Sequence, residues 1–358
     1  MNAGNLSALH PPTTNYTQIG QATVPWSFSD YATEYHAIRG SVALLDHSAL
    51  GLTRLSGKDT QPLLQRVLAR DIDYLEPERA MMALILEETG APIDLVTVYS
   101  FDDHVLLESS WGCAEATRSH LQRQATGEVE VTAVGDQAII GLEGPLAWGV
   151  VGRVLDPSIS ALPYEGVVEL DSDSATLIFS RTGLTGEYGY KLIGPADVLA
   201  GLWSQFAEEA TPAGQQALET AMIEVRQPLL HREISAGRNV VTCGAQWLAD
   251  PSKSDFLGRD SLLEMLADTS APRTVALTWD GDAASPGAEV SAAGTAIGTI
   301  AVQVHSPGLG QQLGLATVSP ELAAAGLPLS VVADGEAVGA VSIAPPYVVP
   351  KSWSTPIL

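Results

Sequence analysis

From residue 272 to the end, the chain carries only short strand-like runs and no helical periodicity. Residues 274–279, 289–291, 298–304, 313–318 and 329–343 are rich in Val, Ile, Thr and Ala and are separated by turn residues. Asp334-Gly335 inside the last run is a two-residue hairpin signal, because both positions tolerate positive φ. Such a stretch is restricted to a small all-β module. The preceding segment differs. Runs 42–46, 51–57, 81–88, 93–99, 104–108, 129–133, 137–142 and 186–193 read as strands, and 166–170 with 175–180 as a hairpin across 171–174. Between them, Asp59 is a candidate N-cap for a helix to residue 70, with Leu63, Leu64, Val67 and Leu68 on one face. Further helices are expected at 114–125, after Pro195 with Val198, Leu199, Leu202 and Phe206 as a stripe, and at 213–226 with Leu218, Ala221, Met222 and Val225. The reading is α+β: a polar arm (1–20), an α+β body of two interleaved lobes (21–271) and a small β domain (272–358).

Charge limits the partners. With 42 Asp+Glu against 18 Lys+Arg the formal net charge is −24, and the cations are scattered singly along the sequence. Nucleic acid and anionic lipid are repelled by such a chain, so neither is expected as a partner. Oligomeric state is not legible. Cys113 and Cys243 lack metal or redox spacing, so no metal is expected. The N-terminus has no basic-then-apolar pattern and no apolar run reaches the length of a membrane span, so a cytoplasmic protein is expected. GxGxxG, the P-loop, GxSxG and HExxH are absent.

Seven segments, in order, resemble the glycine-cleavage T-protein (aminomethyltransferase) superfamily. Residues 37–46 (AIRGSVALLD) resemble its "AVR…GLFD", 51–59 its strand–GpDA–helix step, and 90–99 (GAPIDLVTVY) its "GGIIDDLIVY". Residues 181–192 (RTGLTGEYGYKL) resemble "TGYTGEDGFEI", 221–233 "LRLEAG…LYGHE", 255–262 "DFIGREAL", and 298–318 the "GxVTSGxxSPxLgxxiAlaxV" stretch. Residues 274–282 and 313–319 look closest to tetrahydrofolate-dependent aryl O-demethylases, and the KGCYxGQE element of the iron–sulfur assembly relatives is absent. The resemblance implies a three-lobed fold with a C-terminal small β-barrel, and tetrahydrofolate in a channel between the lobes.

Carried over residue by residue, the resemblance changes at the points where chemistry happens. The family holds the pterin's donor edge with the Glu of "GFEI", since a planar pair of N–H groups suits a carboxylate. That position is Lys191 here; the alternative is a lysine facing solvent on an edge strand. The second Asp of "IDDL" assists chemistry at folate N5. Asp94 matches the first Asp and Leu95 the second; a one-residue shift would bring Asp94 into the pocket and flip the strand's faces, while a turn-capping role is the alternative. The Tyr of "TGYTGE" is Leu184, the Arg of "GARD" is Leu218, the His of "DVSHMG" is Ala49, and the Asn after the next strand is Ser109. Tyr99, Glu187, Glu224 and Arg259 persist and are the implied cofactor contacts; anchoring roles for the two acids and a surface ion pair for Arg259 are the alternatives. The losses remove polarity, which argues for an apolar or aromatic substrate and against aminomethyl-lipoyl arms. His47 and His231 are candidate acid–base groups with Asp94, and His305 falls at a similar motif position; for each histidine a structural role is the alternative. Trp111 is a candidate stacking surface, and Arg226 a candidate partner for Glu224 or a substrate carboxylate. With Lys191, Leu95 and Leu184 they form the expected substrate contacts.

Three functions follow. The first is a tetrahydrofolate-dependent one-carbon (methyl) transferase or demethylase-like enzyme. The second is a folate-independent cyclase or lyase of specialised metabolism. The third is a non-catalytic small-molecule-binding protein.

Overall fold

The run Gln137–Glu143 is buried along nearly its whole length, which requires cover on both faces of a sheet. In the computed structural model, which describes residues 6–171, 175–234 and 238–357, it is the strand around which the body is assembled. The chain begins with β1 (Asn15–Ile19), β2 (Ala22–Ser27), α1 (Tyr31–Gly40), β3 (Ala43–Asp46), β4 (Gly51–Ser56) and α2 (Thr60–Val67). It continues through β5 (Arg79–Leu86), β6 (Pro92–Ser100), β7 (His104–Ser109), α3 (Ala114–Gln124), β8 (Glu130–Val134), β9 (Gln137–Glu143) and α4 (Ala147–Val154). Then come β10 (Val167–Asp171), β11 (Thr176–Ser180), β12 (Gly189–Pro195), α5 (Ala196–Phe206), β13 (Thr211–Pro212), α6 (Gln215–Glu224), α7 (Leu230–Glu233) and α8 (Arg259–Ala267). The tail is β14 (Arg273–Trp279), β15 (Glu289–Ala292), β16 (Thr295–Ser306), β17 (Gln311–Val318), β18 (Pro328–Ala333) and β19 (Glu336–Ile343).

The fold is α+β with three lobes. One lobe carries the sheet β10-β11-β12-β9-β3-β13, the second the sheet β5-β6-β7-β4-β8, and the third is a closed barrel, β14-β17-β16-β15-β18-β19. Barrel closure removes the free edges that short strands would otherwise expose. Asp334 and Gly335 both have positive φ and turn the β18–β19 hairpin. The tip of the β10–β11 hairpin, 172–174, lies outside the described residues.

Alternation along β12 and β6 directs side chains to the centre. On β12, Tyr190 and Leu192 pack under α4 and α5 while Ile193 joins a central cluster with Tyr99, Trp111, Leu218 and the barrel's Leu313 and Leu315. Lys191 shares the face of Ile193. On β6, Val96 and Val98 pack against Leu63, Leu64 and Leu121, so Leu95, Thr97 and Tyr99 take the opposite face.

Several expectations are corrected. Strand β12 lies between β11 and β9, so Lys191 is not on an edge and does not face solvent. The helix after Asp59 ends at Val67, and Asp59 makes no side-chain cap; its carboxylate accepts instead from the Glu128 amide. Pro195 closes β12 and stands at the cap position before α5 rather than inside its first turn. From residue 6 the expected arm is packed. Leu6 is buried with Phe28 and Trp203, the His10 ring lies 4.8 Å from Phe28, and β1 pairs with β2. Among the described residues, no helix is long and apolar enough to cross a membrane.

Candidate functional site

Strand register brings two opposite charges together beneath the junction of the two body sheets. Lys191, 2 % exposed, donates from Nζ to Glu108 Oε1, and Glu108 is 4 % exposed. Lys191 comes from β12 and Glu108 from β7. Register pairs Glu108 with Thr97, so the two share a face, and Thr97 Oγ1 lies 3.4 Å from Glu108 Oε1. The Tyr99 hydroxyl donates to Glu108 Oε2 at 3.1 Å and lies 3.4 Å from Thr182 Oγ1. Burial alone would discharge the lysine; the charge and hydrogen bond of Glu108, with the charges of Tyr99 and Glu143, together outweigh it and hold the ammonium above its usual range. Burial and the Glu108 charge likewise push the Tyr99 phenol up.

Above this floor lies a cleft lined by Met81, Met82, Tyr164, Gly183 and Leu184, with Thr97 and Thr182 at its base. At about 10 Å³ it has room for a water, far below the roughly 300–1,000 Å³ of a small-molecule pocket, so a ligand enters only if its walls part. Its far wall is held by Glu143, whose Oε1 accepts from the Leu184 amide at 2.8 Å and Oε2 from Thr185 Oγ1 at 2.7 Å. Gly183 and Gly189 make this possible: a Cβ on Gly189 would lie 2.8 Å from Glu143 Oε2. Burial pushes the Glu143 carboxyl up to about 7.

Beside the floor the three lobes meet at Trp111. Its ring centroid is 6.0 Å from that of His47 and 6.3 Å from that of His231. His47 lies over Gly141, where a Cβ would fall 2.6 Å from Nε2, and Gly141 is the β9 residue paired with Lys191. Burial and then the Lys191 charge push the imidazole down to about 3, so it stays neutral. His231 Nε2 is 3.0 Å from Glu219 Oε1, and Arg232 donates to the other Glu219 oxygen at 3.0 Å. Glu219 is itself buried, yet its carboxyl is held below its usual range by His231 and Arg232, which outweigh the desolvation.

The sequence candidates therefore divide. Tyr99, Lys191, Leu184, His47, Trp111 and His231 gather at or beside the floor. Asp94 does not. It lies on the α3 face of β6, where its oxygens accept from Thr117 Oγ1 at 2.7 Å and the Ser110 amide at 3.1 Å, and burial raises its carboxyl. Strand alternation puts Leu95 on the inner face, in an apolar cluster with Leu84, Leu86 and Val240. Leu218 is core, and His305 is exposed.

The two persisting acids form a separate buried node. Glu224 accepts from the Tyr35 hydroxyl at 2.7 Å, Arg39 Nε at 2.9 Å and Ser306 Oγ at 2.5 Å. Glu187 accepts from the Lys351 amide at 3.1 Å, the Ser352 amide at 2.9 Å and Arg39 at 3.3 Å. Their shared partner is Arg39, and their work is to fasten the barrel and the C-terminal segment to the body. Arg226 forks onto Glu233, at 3.0 and 2.7 Å, and not onto Glu224. Arg259 donates to the Lys253 carbonyl at 2.7 Å and braces the loop before α8.

Glu108, Glu143, Glu219, Thr97 and Thr182 escape a reading of motifs. Glu108 carried one signal: an acid inside the strand-like run 104–108, at a position whose alternation faces inward.

Comparison with known proteins agrees with this architecture. Residues 12–253 match the family described as the GCVT N-terminal domain, and 273–348 the glycine cleavage T-protein C-terminal barrel domain. The chain is 29 % identical to an aminomethyltransferase of Geobacillus thermodenitrificans, over 92 % of this chain and 93 % of the relative. It is 27 % identical to an aminomethyltransferase of Bacillus subtilis, over 83 % and 85 % respectively. The crystal structure of the glycine cleavage system aminomethyltransferase T from Bartonella henselae superposes with a TM-score of 0.86 at 19 % identity, covering 94 % of this chain and 95 % of that one, a likeness of fold. The three lobes, the barrel and these matches together establish that the chain belongs to the aminomethyltransferase (glycine-cleavage T-protein) family, whose members transfer one-carbon groups.

Proposed function

We propose that this chain transfers one-carbon groups between a small apolar or aromatic molecule and tetrahydrofolate, in a demethylase-like reaction, and that it is not an ordinary glycine-cleavage T-protein. The observation that carries this reading is the exchange at the floor. Lysine stands at the family's carboxylate position, and a carboxylate, Glu108, meets it from the opposite sheet. A buried acceptor has thus moved from β12 to β7, and because Lys191, Thr97 and Tyr99 already donate to it, the N–H pair of a pterin would reach Glu108 only by displacing those donors. Glu108 and Tyr99 would hold that edge, and Met81, Met82, Leu184 and Tyr164 would flank the rest of the molecule. Tetrahydrofolate, when bound, supplies the nitrogen that carries the one-carbon group.

The protein's own residues account for the remainder. Leu95 cannot move a proton, so the family's acid at that point is gone. Glu143, raised to about 7, is the group behind the cleft wall able to hold or release a proton at its carboxyl near neutrality. His231, fixed by Glu219, is the second proton-handling group, at the Trp111 end. Trp111 offers a face for an aromatic substrate. Of the apolar exchanges, Leu184 lines the cleft and Leu95 packs in the neighbouring cluster of Leu84, Leu86 and Val240.

A second reading, a folate-free reaction on the same scaffold, is favoured by one observation. Tyr99, Lys191, Glu108 and His47 are each nearly fully buried against protein, so a pterin reaches Glu108 only when the Lys191 pair parts. Calorimetric titration with tetrahydrofolate separates the two. Micromolar binding, with methyl-labelled aryl ethers yielding labelled 5-methyltetrahydrofolate, is expected for the first reading. No heat up to millimolar tetrahydrofolate rejects it in favour of the second.

A further inference from the structure

One polar atom beside the floor is left unsatisfied. Among the described residues, His47 Nε2 is buried and meets no hydrogen-bond donor or acceptor, and the whole residue is 2 % exposed. A buried ring nitrogen in that state costs stability unless a second state of the site satisfies it. The strand register shows what lies within its reach. Gly141 on β9 is paired on one side with Leu45 of β3 and on the other with Lys191 of β12. His47 follows β3, and the Cδ2–Nε2 edge of its ring lies over Gly141, where a Cβ would fall 2.5 Å and 2.6 Å from those two atoms. The ring therefore extends across β9 toward the strand of Lys191.

Burial and the Lys191 charge keep this imidazole neutral. In a neutral ring one nitrogen carries the proton and the other a lone pair, and a neighbouring ammonium favours the tautomer that turns the lone pair toward it. Lys191 is committed to Glu108 in the structure. A ligand that takes Glu108 sends the ammonium elsewhere, and an unpaired charge is costly where water does not reach. Two other groups act on Lys191 through their charge, Tyr99 and Glu143. The Tyr99 hydroxyl already donates to Glu108, and the two Glu143 oxygens already accept from the Leu184 amide and the Thr185 hydroxyl. His47 Nε2 accepts nothing.

We infer that His47 Nε2 is the second seat of the Lys191 ammonium, and that by moving from Glu108 to His47 the lysine uncovers the Glu108 carboxylate for a ligand with a paired N–H edge. His47 is thus a positioning residue: it acts on the ligand through Lys191. The inference rests on reading Glu108 as the ligand's acceptor, and the seat itself is tested without a ligand.

Nitrogen NMR of the full chain labelled at histidine reads the seat, with His47→Phe assigning the signal. In the free protein Nε2 should resonate as an unbonded lone-pair nitrogen; a proton on Nε2 overturns the inference. In Glu108→Gln the ammonium loses its charged partner, and Nε2 should move to lower frequency as it accepts from Lys191, while the ring stays neutral. Adding Lys191→Met to that variant should abolish the shift. An Nε2 signal that stays put in Glu108→Gln overturns the inference, as does a shift that survives the loss of Lys191.

Tetrahydrofolate gives a second readout that does not depend on the Glu108 variant folding. Saturating the unmutated chain should produce the same Nε2 shift. His47→Phe should bind tetrahydrofolate about tenfold more weakly with no fall in melting temperature, because it removes an unsatisfied buried group. A histidine that only packs would lower the melting temperature and leave affinity alone, and that pattern overturns the inference. An Nε2 shift in Glu108→Gln together with no tetrahydrofolate binding supports the seat and rejects folate as the ligand.

Discussion

Lys191 and Glu108 form a buried ion pair between two different sheets, one strand from each body lobe. The pair is both a floor for the cleft and a link between the lobes. Removing one partner leaves an uncompensated charge in a place water does not reach. Lys191→Met is therefore expected to destabilise the fold by about 3–5 kcal/mol, whereas Lys191→Met/Glu108→Leu recovers most of that loss. Equilibrium denaturation of the single and double variants checks it; equal losses in both would show that the pair carries no coupling.

Glu224 is the acid a motif reading selects for cofactor binding, yet three protein donors already saturate it. Glu224→Ala removes the tie to Ser306 in the barrel and leaves Arg39 held by Glu187 and two backbone carbonyls. The expected cost is about 1–3 kcal/mol, that of buried donors left without an acceptor. Glu187→Ala is expected to act more locally, raising hydrogen exchange at the Lys351 and Ser352 amides that it holds. Exchange mass spectrometry over the C-terminal segment decides this, with unchanged rates counting against the anchoring role.

Glu143 couples the cleft wall to pH. Its folded carboxyl is raised from 4.5 to about 7. Below 4.5 both folded and unfolded forms are protonated, and its contribution is fully present. As pH climbs from 4.5 through about 7 the unfolded chain ionises first, so stability is lost across that window. Glu143→Gln, which mimics the protonated form, should flatten this segment of the stability–pH curve. Parallel curves for the two proteins would contradict it.

His47 runs the other way. Buried beside Lys191, it should remain neutral from pH 8 to pH 5, which the nitrogen shifts of its imidazole report by NMR. Lys191→Met removes part of the cause, so the titration should move up toward the ordinary value in that variant.

How much of this the sequence carried can be argued from particular residues. The strands at 42–46, 93–99 and 137–142 were legible because their apolar runs have only one way to be buried, and the barrel because short strands with turn signals lead nowhere else. The exchanges Lys191, Leu95 and Leu184 were legible as substitutions in a resembled pattern. What Lys191 does was not, since its partner lies 83 residues earlier on another sheet. For Glu187 and Glu224, persistence in a motif does not distinguish a ligand contact from an anchor; both need a buried carboxylate, and the structure shows the anchoring bonds.

Which faces are apolar, where strands turn and which chemical groups are present were all readable along the chain, because those follow from periodicity and residue type within a few neighbours. The tertiary structure alone decided the pairings. It turned Asp94 toward α3 while Leu95 faced inward, set Glu108 against Lys191, and brought Glu187 and Glu224 together on Arg39. Charge acts through space at a few ångströms, and only the crossing of the lobes sets those distances.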